Sequence, residues 1–400
     1  MDLSVGTNKK MKIFYIYTAL VTKGGADRVL TEKANWLAEN GYEVGIITDT
    51  QMGRPPVFPL SPKVRLINLD IDFSQEYGHI LPLRIWWYYK LMRRYRQMLS
   101  ACLYKERPNI VITTLGRDLD FLTKIHDGSV KLGESHIARK YSRNYHLMEQ
   151  RGGIYWLMAK YGRWKQERCV RDLNGLVLLT KQDANSWRGV TQTFVIPNSL
   201  PFYPQESSCC ENKKAICVGR LNEQKGYEYL LEAWSIVWHK HHDWQLNIYG
   251  SGEIKAELQK LISQNNLMDC IFIHEPTSEI IAKYQESSIY IMSSRYEGFG
   301  MVLLEAMACG IPCVSFDCPY GPSDIIHDGE DGFLVKHLDT TALAERICYL
   351  IENPEIRKEM GEKAKRNIKR YSRENVMAQW TELFNHLLLA EQPAASESSK

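Results

Sequence analysis

Apolar residues along the 400-residue chain gather in short β-branched runs separated by longer amphipathic stretches. Runs at 13–17, 42–48, 64–69, 109–114, 131–133 and 175–180 predict strands. The stretch 26–40 predicts a helix with Gly41 placed as its stop. A second series follows at 215–218, 245–249, 271–274, 289–293 and 312–316, with helical patterns between. The runs lack strict polar alternation, as strands covered on both faces do. Two successive βα series predict an α/β chain built from two Rossmann-like, doubly wound parallel sheets.

The two series are separated by Ile196-Pro197-Asn198-Ser199-Leu200-Pro201-Phe202-Tyr203-Pro204, which cannot continue a helix or a central strand. This places one domain at 1–204 and another at 205–372. Three helical patterns close the chain, and the last, at 373–391, is expected to pack back on the first domain. The polar stretch 392–400 reads as a disordered tail.

Charge sharpens this division. The whole chain carries a formal +3, but residues 1–200 hold 30 Lys+Arg against 18 Asp+Glu, and residues 201–400 hold 20 against 29. A +12 half and a −9 half suggest domains that face different ligands, although drift of surface charge produces the same numbers. With 24% charged and 44% hydrophobic residues the chain is neither disordered nor fibrous. No run of about 20 apolar residues predicts a membrane span. Most of the ten cysteines lie in apolar runs and lack zinc-finger spacing, which fits a reduced, cytoplasmic protein. The opening KKMKIFYIYTALV has the look of a signal peptide, but Thr22-Lys23-Gly24-Gly25 follows instead of a cleavage site, so it reads as the first buried strand.

In doubly wound sheets, ligands bind beyond the carboxyl ends of the strands. Four loops there are candidates. Thr22-Lys23-Gly24-Gly25-Ala26-Asp27 puts adjacent glycines at a helix start, which suits an anion and equally suits an ordinary turn. Arg220 and Lys225, in Gly219–Gly226, can converge on a phosphate or simply be solvated. Tyr249-Gly250-Ser251-Gly252-Glu253 brings backbone close to the crevice. In Ser294-Arg295-Tyr296-Glu297-Gly298-Phe299-Gly300-Met301, exposed amides open a helix that carries Glu305. Glu297 and Glu305 can each accept hydrogen bonds from sugar hydroxyls; capping and helix pairing are their structural alternatives.

Together these motifs resemble the retaining glycosyltransferases of family 4, which have the two-domain GT-B fold with a central cleft and use nucleotide-sugar donors. The resemblance rests on Gly24-Gly25-Ala26-Asp27, on Arg220 with Lys225-Gly226, and on the E-x7-E pair Glu297 and Glu305. Gly321-Pro322-Ser323-Asp324 and Asp331-Gly332-Phe333 extend it. It implies that Arg220 and Lys225 bind the donor diphosphate, and that Glu297 with the amides of Gly298, Phe299 and Gly300 holds the transferred sugar. Glu305 would hold the ribose, His274 and Pro276 would lie against the base, and Gly24 and Gly25 would face the diphosphate from the other domain. His136, after the strand at 131–133, becomes the candidate for contacting the reacting sugar, with an ordinary core or surface histidine as its alternative. No persuasive nucleophile accompanies this set, which favours front-face attack with the leaving phosphate taking the acceptor's proton. The cations and the helix start would stabilise the departing charge without a metal or other cofactor.

The basic half adds a second theme. Residues 81–100 hold Arg84, Lys90, Arg93, Arg94 and Arg96 with Trp86, Trp87 and three tyrosines, and no acid. Residues 139–171 repeat the mixture. Such helices suit the inner face of an anionic cytoplasmic membrane, where a lipid-linked acceptor would be met; packing the aromatics on the sheet is the alternative. The expected activity is transfer of a hexose or N-acetylhexosamine, from a UDP-sugar by the look of Cys318-Pro319-Tyr320-Gly321-Pro322, to a polysaccharide or lipopolysaccharide precursor. A soluble transferase of the sucrose or glycogen type and a non-catalytic sugar-nucleotide binder are the alternatives. Nucleic acid is supported by charge alone and is not an expected partner.

Overall fold

The computed structural model describes residues 10–22, 24–76 and 78–390. Lys23 and the stretch 392–400, read above as loop and tail, lie outside them. The chain divides into two compact units. Among the described residues the first comprises those up to Leu178, Ala184–Ile196 and those from Met377 onward; the second comprises Leu179–Asp183 and Pro197–Val376.

The first unit contains β1 (Lys12–Tyr17), α1 (Gly25–Glu39), β2 (Glu43–Thr48), β3 (Arg65–Asn68), α2 (Leu81–Glu106) and β4 (Ile110–Thr113). It continues through β5 (Val130–Ser135), α3 (Tyr145–Arg151), α4 (Gly153–Arg171) and β6 (Gly175–Leu178); after α5 (Lys181–Ser186) comes β7 (Thr193–Val195). Its seven strands are parallel in the order β3-β2-β1-β4-β5-β6-β7. In α1 the apolar stripe Leu30, Ala34, Leu37 and Ala38 is buried, and Gly41 at φ 94° stops the chain from continuing the helix. The outer helix α2 buries Leu91, Tyr95, Leu99 and Leu103 in a cluster with Phe14, Ile16 and Val111.

The second unit follows the same plan with β8 (Lys214–Val218), α6 (Tyr227–Lys240), β9 (Gln245–Tyr249), α7 (Lys255–Gln264), β10 (Ile271–His274) and α8 (Ile280–Gln285). Then come β11 (Ile289–Met292), α9 (Met301–Ala308), β12 (Cys313–Phe316), α10 (Pro322–Ile325) and β13 (Gly332–Val335). This unit closes with α11 (Thr340–Glu352) and α12 (Pro354–Asn367); α13 (Arg373–Ala390) starts in it and belongs to the first unit from Met377 onward. Six parallel strands run in the order β10-β9-β8-β11-β12-β13. Asp339 caps α11 by accepting from the Ala342 amide at 2.9 Å, and Pro354 starts α12, where a missing N–H costs nothing.

Two details differ from the sequence expectation. The strand at 131–133 extends to Ser135, so Glu134 and Ser135 belong to β5 and only His136 follows it. The division between units falls at the first proline of 196–204 and not its last. The Ile196 amide still donates to Leu178 O (3.0 Å), whereas the Leu200 amide donates to Tyr371 O (2.8 Å), already within the second unit. At three residues, β7 is too short for a period to show. No described helix is long and apolar enough to cross a membrane.

Candidate active site

In the second sheet β8 and β11 are neighbours although distant in sequence, so the loops leaving their carboxyl ends emerge side by side at the switch point of the strand order. Close packing locks the two loops together. Gly226 has φ 59°, and a Cβ on it would lie 2.4 Å from Ser293 O, so only glycine fits. Ser293 Oγ donates to Lys225 O (3.0 Å), the Arg295 amide to Gln224 O (2.8 Å), and Gln224 Nε2 to Tyr296 O (2.9 Å).

Those ties place Lys225 Nζ 2.7 Å from Glu297 Oε1, and Ser294 Oγ donates to the same oxygen at 2.6 Å. The Glu297 and Lys225 side chains are only 8% and 15% exposed, so the charge pair sits in a sparsely hydrated corner where its field is weakly screened. Beside it the amides of Gly298, Phe299 and Gly300 donate no hydrogen bond among the described residues. They precede α9 and leave a cluster of N–H donors at its start. The Phe299 ring is buried edge-on to Tyr371 at 5.7 Å, so this residue presents backbone. Arg220 is exposed and makes no ion pair among the described residues; its charge reaches the Tyr296 phenol. On α9, Glu305 accepts from the phenol of fully buried Tyr284 at 3.0 Å.

The β9 and β10 ends complete this rim. A Cβ on Gly250 would come within 1.9 Å of Gly219 O, so that glycine is required by the packing of two strand ends, whatever else approaches it. The His274 ring stacks on Tyr249 at 4.6 Å, with Nε2 2.8 Å from Asn247 Oδ1. Burial and the Lys283 charge lower its pKa, which keeps the ring neutral. Pro276 is exposed beyond it.

The first unit holds the other sequence candidates. Gly24 precedes α1 and Gly25 opens it; a Cβ on Gly25 would meet nothing within 4 Å. The loop is shaped by Asp27, whose carboxylate accepts from the Thr22 amide (2.8 Å) and the Tyr17 phenol (2.7 Å). His136 lies against a buried ion pair: its Nε2 is 3.3 Å from Glu134 Oε1, and both Glu134 oxygens are 2.5 Å from Lys33 Nζ. Lys33 comes from α1 and sits over the Trp380 ring of α13 at 4.0 Å. Burial lowers the His136 pKa, Glu134 opposes that, and Lys33 reinforces it.

Pattern reading does not single out Lys33 or Tyr284. Lys33 left a trace, because it falls on the apolar stripe of α1 one position before Ala34. Tyr284 left none, since an aromatic in an apolar helix is ordinary core.

On α2, Trp86 is exposed and Lys90 lies over Trp86 and Trp87 at 4.8 and 4.5 Å. Arg84, Arg93 and Arg94 are exposed, while Trp87 is partly packed on the core. Among the described residues no group of three or more His, Cys, Asp or Glu is arranged to hold a metal.

The two doubly wound parallel sheets have the GT-B fold, and the sequence matches make the chain a glycosyltransferase. Residues 205–367 match the family model described as glycosyl transferases group 1. An uncharacterised glycosyltransferase of Haemophilus influenzae is 26% identical over 92% of this chain and 98% of its own length. The amylovoran biosynthesis glycosyltransferase AmsD of Erwinia amylovora is 33% identical over 54% of this chain and 64% of its own. A poly(ribitol-phosphate) alpha-N-acetylglucosaminyltransferase of Staphylococcus aureus is 30% identical over 53% and 44%. Among solved structures, sucrose-phosphate synthase of Thermosynechococcus elongatus has the same fold, with TM-score 0.76, 19% identity and coverage of 95% and 100% of the two chains. So has the pneumococcal O-GlcNAc transferase GtfA, solved with UDP and GlcNAc, at TM-score 0.69, 14% identity and coverage of 95% and 99%.

Proposed function

We propose that this glycosyltransferase is a retaining enzyme of family 4 that moves a hexose or N-acetylhexosamine from a UDP-sugar to a lipid-linked polysaccharide or lipopolysaccharide precursor. The observation that carries the donor site is the contact of Lys225 with Glu297 beside the unpaired amides of Gly298, Phe299 and Gly300. Glu297 accepts from hydroxyls of the transferred sugar, which the amides also hold. Arg220 and Lys225 take the diphosphate, and Glu305, oriented by Tyr284, takes the ribose. A neutral His274 stacked on Tyr249 gives a flat, uncharged surface beside Pro276 for the base. On the resemblance alone, Gly24 and Gly25 are assigned to the diphosphate and His136 to the transferred sugar.

As the bond to the diphosphate breaks, negative charge builds on the leaving oxygen. Lys225 in its poorly hydrated corner, the exposed Arg220 and the fixed N–H dipoles stabilise it. The leaving phosphate then takes the acceptor's proton as the acceptor attacks from the same face, which preserves the anomeric configuration. Lys225 donates to Glu297, which orients the carboxylate. The named activities of the Erwinia and Staphylococcus relatives support a cell-surface glycan acceptor, and the UDP held by the pneumococcal structure supports the donor base. The acceptor reading places the enzyme at the inner face of the cytoplasmic membrane, touched by the basic aromatic face of α2.

A thermal-shift panel of UDP-, GDP- and ADP-sugars tests the donor site. At a hundredfold excess over its dissociation constant a ligand adds about 2.7 kcal/mol of stability. UDP-sugars are expected to raise the melting temperature; a flat response to all three would refute the donor-site reading, and a response to GDP- or ADP-sugars alone would replace the base.

A further inference from the structure

Surface helices ordinarily turn their apolar stripe inward, and α4 departs from that. Its inward positions are small or polar. Ala159, Gln166 and Val170 are buried, and Gly162 lies so close to Tyr145 that a Cβ would meet the ring at 2.5 Å. Its outward stripe, at i, i+3, i+7 and i+10, is Ile154, Leu157, Tyr161 and Trp164, which are 67%, 58%, 63% and 53% exposed. Tyr155, Trp156 and Met158 widen the stripe, so five consecutive apolar side chains from Ile154 to Met158 face solvent.

The border of this patch is cationic. Arg151 lies over Tyr155 at 5.6 Å, Lys160 over Trp156 at 4.8 Å and Arg168 over Trp164 at 5.7 Å. No acid occurs between Arg151 and Gln166. Long cationic side chains beside interfacial aromatics can keep their heads in a headgroup layer while the rings enter the acyl boundary. Toward α2, Tyr88 lies within reach of the charges of Asp120, Lys165 and Arg143.

We propose that the outward stripe of α4 inserts into an anionic bilayer surface, with the cations of α4 and α2 meeting lipid phosphates. This rests on the membrane reading above and says which residues carry it. On α2 the stripe Leu91, Tyr95, Leu99 is spent on the core, while the first turns expose Leu83, Ile85, Trp86 and Tyr89 in a shorter apolar set. A second copy of the chain is disfavoured as the occupant, because a twofold contact would set Arg151, Lys160 and Arg168 against themselves. An anionic surface satisfies the apolar stripe and the cations together.

The full chain is tested by co-sedimentation with vesicles of phosphatidylglycerol and phosphatidylethanolamine, and with phosphatidylcholine vesicles as control, at low and high salt. Binding to the anionic vesicles alone, with a blue shift of tryptophan emission, is expected. The variant I154S/L157S, whose positions are exposed and whose melting temperature should match the parent, is expected to bind about tenfold more weakly and to lose the blue shift. Reversal of α2 charge in R93E/R94E is expected to weaken binding while leaving the blue shift of the bound fraction. If vesicles bind and I154S/L157S makes no difference, the assignment to α4 is wrong while the membrane reading stands. If no vesicle binds, both fall. A concentration-dependent dimer abolished by I154S/L157S would instead make this face a contact between copies.

Discussion

Replacing Lys33 by Met removes an ammonium that touches both oxygens of Glu134 at 2.5 Å and sits 4.0 Å from the centre of the Trp380 ring. The two charged side chains are 5% and 2% exposed, so water screens little of the loss. Methionine fills the same space but leaves Glu134 a buried anion without its ammonium partner. Breaking a buried pair in this way costs about 3–5 kcal/mol. For a unit of this size that corresponds to a fall of roughly 6–20 °C in its melting temperature.

The cost depends on pH with a definite sign. In the native protein burial lowers the His136 pKa, and Lys33 lowers it further against the pull of Glu134. A histidine with a depressed folded pKa contributes stability above its ordinary value, and loses it as the pH falls below about 6.5. Without Lys33 the pull of Glu134 is opposed by burial alone, and the folded pKa of His136 rises. Glu134, whose own pKa Lys33 holds down against burial, also becomes easier to protonate. Proton uptake by either group relieves the orphaned charge, so the variant should be most destabilised near pH 8 and much less so at pH 5.5. Urea and thermal melts of K33M and parent at the two pH values measure this. Adding Glu134→Gln should recover most of the loss at pH 8. A cost that does not shrink on acidification, or one that Glu134→Gln fails to recover, would refute the claim that Lys33 works by neutralising Glu134.

Other substitutions separate binding from packing. Lys225→Ala removes the contact with Glu297 and one cation of the proposed leaving-group clamp; kcat should fall about 10²–10³-fold with the chosen donor, and unchanged turnover would rule out the clamp. Gly25→Ala meets no atom within 4 Å, so the fold should tolerate it; a large rise in donor KM with an unaltered melting temperature would place a ligand against that backbone. Gly250→Ala is expected to fail differently, by lost stability, because its Cβ would lie 1.9 Å from Gly219 O. Tyr284→Phe deletes the hydrogen bond to Glu305, worth about 1 kcal/mol; a several-fold weaker affinity for UDP in calorimetry is expected, and equal affinity would remove Tyr284 from the site.

The order of strands and helices was legible because each βα unit repeats a local period, and each buried strand is a β-branched run bounded by turn residues. The loop carrying Glu297, Gly298, Phe299 and Gly300 was legible for a related reason, since glycine next to a helix start has a local backbone cause. What could not be read was pairing across the chain. That Lys225 meets Glu297 follows from β8 lying beside β11, which is a property of strand order and of the contact between Gly226 and Ser293. Gly250 looked like a ligand-facing glycine, and its most demanding neighbour turned out to be another loop's carbonyl.

By itself, the sequence determined two doubly wound sheets, the loops that cap them and the opposite charges of the two halves, because periodicity, turn chemistry and net charge are local or additive. The tertiary structure decided which loops converge, that Lys33 buries its charge on Glu134 under Trp380, and that α4 turns its aromatic stripe outward. A helix has the same amphipathic pattern whichever way it faces, and only packing against a particular sheet selects the side that water sees.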